Sequence, residues 1–286
     1  MLYILIIKSL EAIPYKGLFY IGKVLALLLF TLPNKHRRVS EANLKLVFPH
    51  KTSLQINSIL RDSLFHSIMN MLEAGLVWGN QDYKKKPGFI NVKNFSKIET
   101  ALSSNKGVLL FTPHIGNIEI IINFLGQHTD CTIPYTQPKN KDLDKIITNS
   151  RNKSGVKMVD INVSGIKDML SALKNKKLVA VASDQVPKKG AGIISKFFNS
   201  EIYSMSLLPK LQQRTGCVAH LMYCERKENG KGFVIHFDSK IDLSSNIQDG
   251  VDKMNNEFEK CIMKLPGQYS WEYKKFKRTE LDSIYK

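Results

Sequence analysis

The chain has 286 residues, of which 43% are hydrophobic and 23% are charged, and this apolar content excludes a disordered protein. Four cysteines are too few for a small disulfide-stabilised scaffold, and one long apolar run is too little for a membrane protein with several spans. The net charge of +17 indicates an anionic partner, which can be nucleic acid, an anionic membrane, a phosphorylated lipid or an acidic protein.

The N-terminal 32 residues are the most apolar part of the chain. Residues 18–32 are apolar except for Lys23, and as a helix they reach roughly 22 Å, against roughly 30 Å for the hydrocarbon core of a bilayer. This run predicts a membrane-associated helix that either spans the bilayer or lies in its interface. A cleaved signal peptide is disfavoured because no small-x-small cleavage site follows the run, and a buried core helix is the remaining alternative.

A basic cluster at 35–38 follows Pro33 directly. Because positive charge concentrates on the cytoplasmic side of membrane segments, this cluster predicts that the rest of the chain is cytoplasmic. We therefore expect a membrane anchor over 1–34. A helical lead-in is expected over 35–87, where apolar residues recur at helical spacing.

Beyond Gly88, short apolar runs alternate with helical segments. Strands are predicted over 89–92, 108–112, 131–135, 157–160, 178–183, 218–224 and 232–237. Helices are predicted over 95–103, 117–125, 143–150, 163–174, 207–215 and 251–265. The alternation predicts a single α/β domain over 88–286 with a mixed, mainly parallel central sheet flanked by helices.

The first strongly apolar strand ends just before a histidine. His114 lies past the strand tip, where sites of open α/β sheets are found, and Glu119 lies in the first turn of the following helix. A carboxylate there can reach back to the imidazole, fix its tautomer and raise its basicity. His114 could then deprotonate an acceptor hydroxyl as it attacks a carbonyl. The alternative is a polar loop histidine followed by a capping glutamate.

The second strongly apolar strand is followed by Asp184 and Gln185, which leave the sheet at the same edge if the two strands are parallel. A basic, glycine-rich loop with Lys188, Lys189 and Gly192 comes next. This loop is suited to holding a phosphate group and an apolar chain, although it meets neither the Walker nor the dinucleotide-binding spacing. A turn residue before Pro187 is the alternative role of Asp184.

Other candidate residues carry weaker signals. Arg151 lies at the end of a predicted helix, where a lone arginine is more often a surface residue. Cys217, His220 and Cys224 fall in a probable strand, in which 217 and 220 point to opposite faces, so core packing is preferred to a metal site. The sequence contains no GxSxG, HExxH or Cys–His nucleophile pattern, and no nucleic-acid-binding motif.

Several short blocks follow one another in an order that matches a known family over nearly the whole chain. The blocks are Arg37 and Arg38; Asn43 and Leu44; Phe48 and Pro49; Thr112, Pro113, His114 and Glu119; Arg151 with 154–156; Asp184, Gln185, Gly192, Phe197 and Phe198; Glu225 and Arg226; Pro266, Gln268, Tyr269, Trp271, Phe276 and Lys277. They resemble the bacterial lipid A late acyltransferases, also called the lauroyl/myristoyl acyltransferase family, within the wider lysophospholipid acyltransferase fold.

The resemblance implies an O-acyltransferase that moves a fatty acyl chain from acyl carrier protein to a hydroxyl of a lipid A precursor, a phosphorylated saccharolipid. It implies an enzyme that acts at the cytoplasmic face of the inner membrane without a metal or a bound cofactor. The acceptor hydroxyl would attack the thioester directly, without an acyl-enzyme intermediate. His114 is then expected to be the general base, Glu119 its orienting carboxylate, and Arg151 a contact to phosphate or oxyanion. The residues expected to bind substrate are Arg151, Asp184, Gln185, Lys188, Lys189 and Gly192.

The C-terminal block departs from the family pattern. Tyr273 stands where the family commonly has a histidine, Gly267 where it has a glutamate, and Thr279 and Glu280 replace its usual Arg-Pro ending. These departures concern the C-terminal contacts and leave the His114 centre intact. An acyltransferase for another glycolipid or a lysophospholipid remains an alternative, as does a non-catalytic membrane-binding relative.

Overall fold

The computed structural model describes residues 2–79 and 82–286. The N-terminal part is helical, with α1 (Leu2–Ala12), α2 (Tyr15–Thr31), α3 (Lys35–Val47), α4 (Ser53–Leu72) and α5 (Ala74–Trp78). A capping box starts α4, since the Thr52 hydroxyl accepts from the Gln55 N–H and the Gln55 side chain accepts from the Thr52 N–H. Residues 80 and 81 of the predicted lead-in lie outside the described residues.

The rest of the chain alternates strands and helices. In chain order these are β1 (Ile90–Lys93), α6 (Ser96–Ser103), β2 (Val108–Thr112), α7 (Ile118–His128), β3 (Cys131–Tyr135), α8 (Lys141–Ser154), β4 (Lys157–Asp160), α9 (Val163–Lys174), β5 (Leu178–Ala182), β6 (Gly192–Phe197), β7 (Ser200–Met205), α10 (Leu207–Thr215), β8 (Val218–Arg226), β9 (Phe233–Ile241) and α11 (Ile247–Lys264). Short 3₁₀ turns cover Asp82–Lys85, Glu228–Gly230, Pro266–Gln268 and Glu280–Tyr285.

The central sheet has the strand order β1-β9-β8-β2-β5-β3-β4. Neighbouring strands are parallel except β8 and β9, which form an antiparallel pair with a register shift between His220 and Met222. Apolar clusters cover both faces of the sheet, and β2 is buried along its whole length. The prediction of a single α/β domain with a mixed, mainly parallel sheet flanked by helices is confirmed.

A hairpin of β6 and β7 lies outside the central sheet and was not predicted. The sequence of β6 lacks the usual alternation of a half-buried strand, because Ser195 is buried while Ile194 is exposed. The buried Ser195 hydroxyl donates to the Asp252 carboxylate at 2.6 Å and accepts from the Asn255 amide at 2.9 Å. Hydrogen bonds to α11 therefore replace the apolar contacts that the alternating pattern of a half-buried strand would show.

Helix α2 packs along the body through one face. Tyr15, Leu18, Phe19, Gly22 and Ala26 are buried, and the Phe19 ring meets the Phe65 ring of α4 edge-on at 5.0 Å. Large apolar side chains are exposed on the opposite face of α2, at Leu32 directly after it, and on part of α1. These are Tyr3, Ile4, Leu5, Ile6, Tyr20, Ile21, Val24, Leu25, Leu27, Leu28 and Leu32.

Among the described residues, no single helix is both long enough and apolar enough to cross a membrane. Residues 3–12 and 15–31 meet that requirement only as a pair, and the two helices are bent by 116° at the break between them. The N-terminal membrane anchor over 1–34 therefore stays a prediction.

Candidate active site

The loops after β2 and β5 bring His114 and Asp184 together. The two strands pair in parallel up to Thr112 opposite Ala182, so the residues that follow leave the sheet side by side. The Nδ1 atom of His114 lies 2.6 Å from Oδ1 of Asp184, and the His114 backbone N–H donates to Oδ2 at 3.2 Å. The carboxylate therefore fixes both the ring and the backbone of the loop that carries it.

The surroundings of this pair set its charge state. Burial raises the pKa of Asp184, but His114 and Lys275 lower it more, and the pKa falls to about 2. Burial lowers the pKa of His114, but the Asp184 carboxylate outweighs it and the pKa is raised above its usual value. Asp184 is 4% exposed and the His114 side chain is 29% exposed. An ionised buried carboxylate thus holds a partly accessible imidazole of increased basicity.

Glu119 has a different partner from the one expected. Its carboxylate accepts from both Nη2 and Nε of Arg151, at 2.5 and 3.2 Å. The Asn117 side chain caps α7 by accepting from the Glu119 N–H at 3.0 Å, and Arg151 lies in α8. The structure therefore corrects the expected contact: Asp184, not Glu119, is hydrogen-bonded to His114, and Glu119 holds Arg151.

Among the residues expected to bind substrate, Gln185 and Lys188 line a cavity, whereas Lys189 and Gly192 do not line it. The side-chain nitrogen of Gln185 lies 3.3 Å from Nε2 of His114, and Lys188 lines the same cavity as Gln185. Lys189 is exposed in the loop before β6. Gly192 begins β6, where a Cβ would lie 2.3 Å from the Ser204 carbonyl oxygen, so its main visible role is to let the two strands approach.

With its proton on Nδ1 facing Asp184, the imidazole presents the Nε2 lone pair on the other side, next to Gln185. A cavity of about 340 Å³ opens beside it, and His114, Glu119 and Arg151 are among its polar lining residues. We call it the inner cavity. Most of its remaining wall is apolar and is formed by Ile118, Ile121, Ile122, Leu125, Ile133 and Met222, among others. It can accommodate an apolar chain that starts at the imidazole.

The C-terminal segment contributes to the site in a way that the sequence did not show. The Ser270 N–H donates to the His114 carbonyl oxygen at 3.1 Å, and Tyr269 forms a bridge with Ile115. The Tyr273 hydroxyl accepts from the Val186 N–H at 3.0 Å. The buried ammonium of Lys275 donates to the backbone oxygen of Asp184, and burial lowers its pKa to about 8. Tyr273 is thus used within the protein to hold the loop after Asp184.

A second charged cluster, formed around Glu73 and Arg226, was also not predicted from the sequence. Glu73 and Arg226 form a fully buried ion pair at 2.6 Å. The Glu73 carboxylate also accepts from the Tyr15 hydroxyl and from the Asn117 amide, both at 2.7 Å. The available signal was a lone acid in the apolar stretch 72–78 and an arginine at the end of a buried strand.

The site contains a histidine–aspartate pair beside a largely apolar cavity, and comparison with known proteins identifies the family. The sequence profile described as bacterial lipid A biosynthesis acyltransferase matches residues 1–278. The chain belongs to this family.

Curated family members resemble the chain along most of its length. A lipid A biosynthesis palmitoleoyltransferase of Escherichia coli (strain K12) is 21% identical over 267 residues, covering 93% of this chain and 86% of the relative. A lipid A biosynthesis lauroyltransferase of the same organism is 23% identical over 269 residues, covering 93% and 87%. A lipid A biosynthesis acyltransferase of Haemophilus influenzae is 25% identical over 283 residues, covering 94% and 87%.

Proposed function

We propose that the protein transfers a fatty acyl chain from acyl carrier protein to a hydroxyl group of a lipid A precursor. The observation that carries this proposal is the His114–Asp184 pair at the polar end of the inner cavity, in a chain of the lipid A acyltransferase family. The cavity suits the hydrocarbon chain of a donor, while the imidazole lies where a thioester carbonyl would meet an acceptor hydroxyl.

The reaction is a direct transfer. As the acceptor oxygen forms its bond to the thioester carbonyl carbon, Nε2 of His114 takes the hydroxyl proton. The tetrahedral intermediate collapses, the C–S bond breaks, and the imidazolium returns the proton to the leaving thiolate. The products are an ester and the free thiol of the carrier. Asp184 stabilises the imidazolium between the two proton transfers.

Arg151 is assigned to a negatively charged oxygen of a substrate, either the developing oxyanion or a phosphate. Glu119 acts through Arg151, because its two hydrogen bonds hold the guanidinium in place. The Arg151 guanidinium also lies over the Tyr135 ring, with 4.8 Å between its central carbon and the ring centroid. Lys188, Lys189 and Gln185 are assigned to substrate binding on the other side of His114.

We place the protein at the cytoplasmic face of the inner membrane, with α1 and α2 in contact with lipid. The exposed apolar side chains of these helices and the net charge of +17 support this placement, since both favour an anionic bilayer surface. The same surplus charge favours an acidic carrier protein and a phosphorylated acceptor. No bound cofactor or metal is assigned to the reaction.

The test is an assay of the purified full chain with a radiolabelled lipid A precursor and acyl carrier proteins loaded with chains of several lengths. Because His114 is the general base, we expect His114→Ala to lower kcat by at least ~100-fold. His50→Ala, at an exposed histidine in the turn after α3, is the matched control and should keep wild-type turnover. Near-wild-type kcat in His114→Ala would refute the mechanism, and acylation of phospholipids but not of the precursor would refute the substrate.

A further inference from the structure

A second cavity, larger than the inner cavity, lies at the same edge of the sheet. Its volume is about 760 Å³, and it is bounded by α9, α10 and the loop that carries Gln185 and Lys188. We call it the basic groove. Its floor is apolar and includes Met169, Leu170, Leu207 and Leu211. A groove of this size with a hydrocarbon floor can take an extended apolar ligand.

Helix α10 gives the groove its charge. Leu207, Lys210, Leu211 and Arg214 all line it, and their spacing of three and four residues places them on one helix face. The two leucines are therefore next to the two cations, as an amphiphilic ligand with an anionic group requires. Both cations are exposed, and within the described part of the chain neither forms an ion pair with a carboxylate.

The net charge of the groove is positive. Lys188 faces it from the loop after β5, and together with Lys210 and Arg214 it makes three cations against one carboxylate, that of Asp160. Three cations at one apolar groove match a phosphate group attached to hydrocarbon.

The basic groove and the inner cavity meet at His114. They share Pro134, Val181 and Ala182 as lining residues. Gln185 lines the basic groove, and its side-chain nitrogen lies 3.3 Å from Nε2 of His114, which itself lines the inner cavity. A base that transfers a proton between two substrates must lie between them.

We infer that the basic groove binds the acceptor as a phosphorylated lipid, with its hydrocarbon on the α9–α10 floor and its phosphate on Lys210 and Arg214, while the inner cavity takes the donor chain. This inference rests on the proposed function, because it assigns the two substrates of that reaction to the two cavities. The hydrocarbon floor favours the acceptor lipid over the phosphate-bearing arm of the carrier protein as the ligand of these cations.

The test compares the wild-type full chain with the double variant Lys210→Ala/Arg214→Ala. Two acceptors are used: the phosphorylated lipid A precursor, and the same lipid after phosphatase treatment. We expect the variant to raise KM for the phosphorylated acceptor about tenfold, with kcat and the KM for acyl carrier protein unchanged. With the dephosphorylated acceptor, wild type and variant should have the same KM. Lys167→Ala is the control, because Lys167 is an exposed lysine of α9 that does not line the groove.

Two results would overturn the assignment. An equal rise in KM for both acceptors would show that the cations do not bind the acceptor phosphate. A rise in KM for acyl carrier protein alone would assign α10 to the carrier instead.

A binding measurement separates this inference from the proposed function. In the His114→Ala background, binding of the phosphorylated precursor to the detergent-solubilised protein should weaken when Lys210 and Arg214 are replaced. If the wild-type protein transfers no acyl chain but this difference in binding is found, the proposed function fails and the groove assignment stands. If transfer occurs and the difference in binding is absent, the groove assignment fails alone.

Discussion

Two charged clusters, the Glu73–Arg226 pair and the His114–Asp184 pair, differ in how completely the hydrogen-bonding capacity of their polar atoms is used. The Glu73 carboxylate accepts four hydrogen bonds, from Tyr15, Asn117 and twice from Arg226, and the Glu73–Arg226 pair has no exposed side-chain surface. The imidazole of His114 is held by Asp184 on one side and remains partly exposed on the other. We call the Glu73–Arg226 pair the saturated cluster, and its role is to hold chain segments in place. We call the His114–Asp184 pair the unsaturated cluster, because it keeps a ring nitrogen available for a substrate.

The largest effect should come from breaking the saturated cluster. Glu73→Ala leaves the Arg226 charge buried without its carboxylate, and we expect a loss of about 3–5 kcal/mol in the free energy of unfolding. Denaturant unfolding of the purified full chain measures it. Glu257→Ala is the matched control, because its partner Lys260 is 66% exposed and such surface pairs contribute less than about 1 kcal/mol. Equal losses in the two variants would contradict the assigned role of the Glu73–Arg226 pair.

Removing the negative charge of Asp184 should lower activity and change its dependence on pH. A general base must be neutral, and since Asp184 raises the pKa of His114, wild-type activity should fall as the pH drops through that raised value. We expect Asp184→Asn to lower kcat on the order of 100-fold. Its acid limb should move to lower pH, because the imidazole loses its anionic partner.

The pH profile of kcat/KM in the two proteins checks this prediction. A variant whose acid limb stays at the wild-type position would show that Asp184 does not set the basicity of His114. Glu259→Gln, at a half-buried carboxylate of α11 that bonds the Phe198 N–H, should leave the profile unchanged.

The smallest effect should come from Asn117, which connects Glu73 to the first turn of α7. Its side chain accepts from the Glu119 N–H and donates to Glu73, so Asn117→Ala removes a helix cap and loosens the first turn of α7. We expect a loss of about 1–2 kcal/mol in stability together with a reduced kcat, because Glu119 then holds Arg151 less firmly. Asn246→Ala removes the corresponding cap of α11 and should cost similar stability with kcat unchanged. Identical kcat values in the two variants would show that the cap does not position Glu119.

Local patterns in the sequence were enough to predict most of the α/β body. The apolar runs of β2 and β5 are continuous because central parallel strands with helices on both faces bury nearly every side chain. The bounds of β2, β3 and β5 agree with the predicted ones to within one residue. The hairpin of β6 and β7 could not be found in this way, since its inward serines are stabilised by polar groups of α11.

The position of His114 was predictable, but its partner was not. The sequence predicted Glu119 as the carboxylate that orients His114, but the Glu119 carboxylate is hydrogen-bonded to Arg151. Asp184 comes from 70 residues away and reaches the imidazole because β2 and β5 lie side by side in register.

The sequence by itself determined the alternation of strands and helices, the family and the candidate base, because each of these depends on local periodicity or on a short block of residues. Only the tertiary structure decided which charges meet. Lys275 contacts Asp184 across 91 residues, and Arg226 contacts Glu73 across 153. Such contacts depend on strand order and on which face of a helix is buried, and neither is encoded in the spacing of the two residues along the chain. The docking of α2 on α4 has the same cause, since an apolar helix is compatible with a bilayer and with a protein core until its neighbours are known.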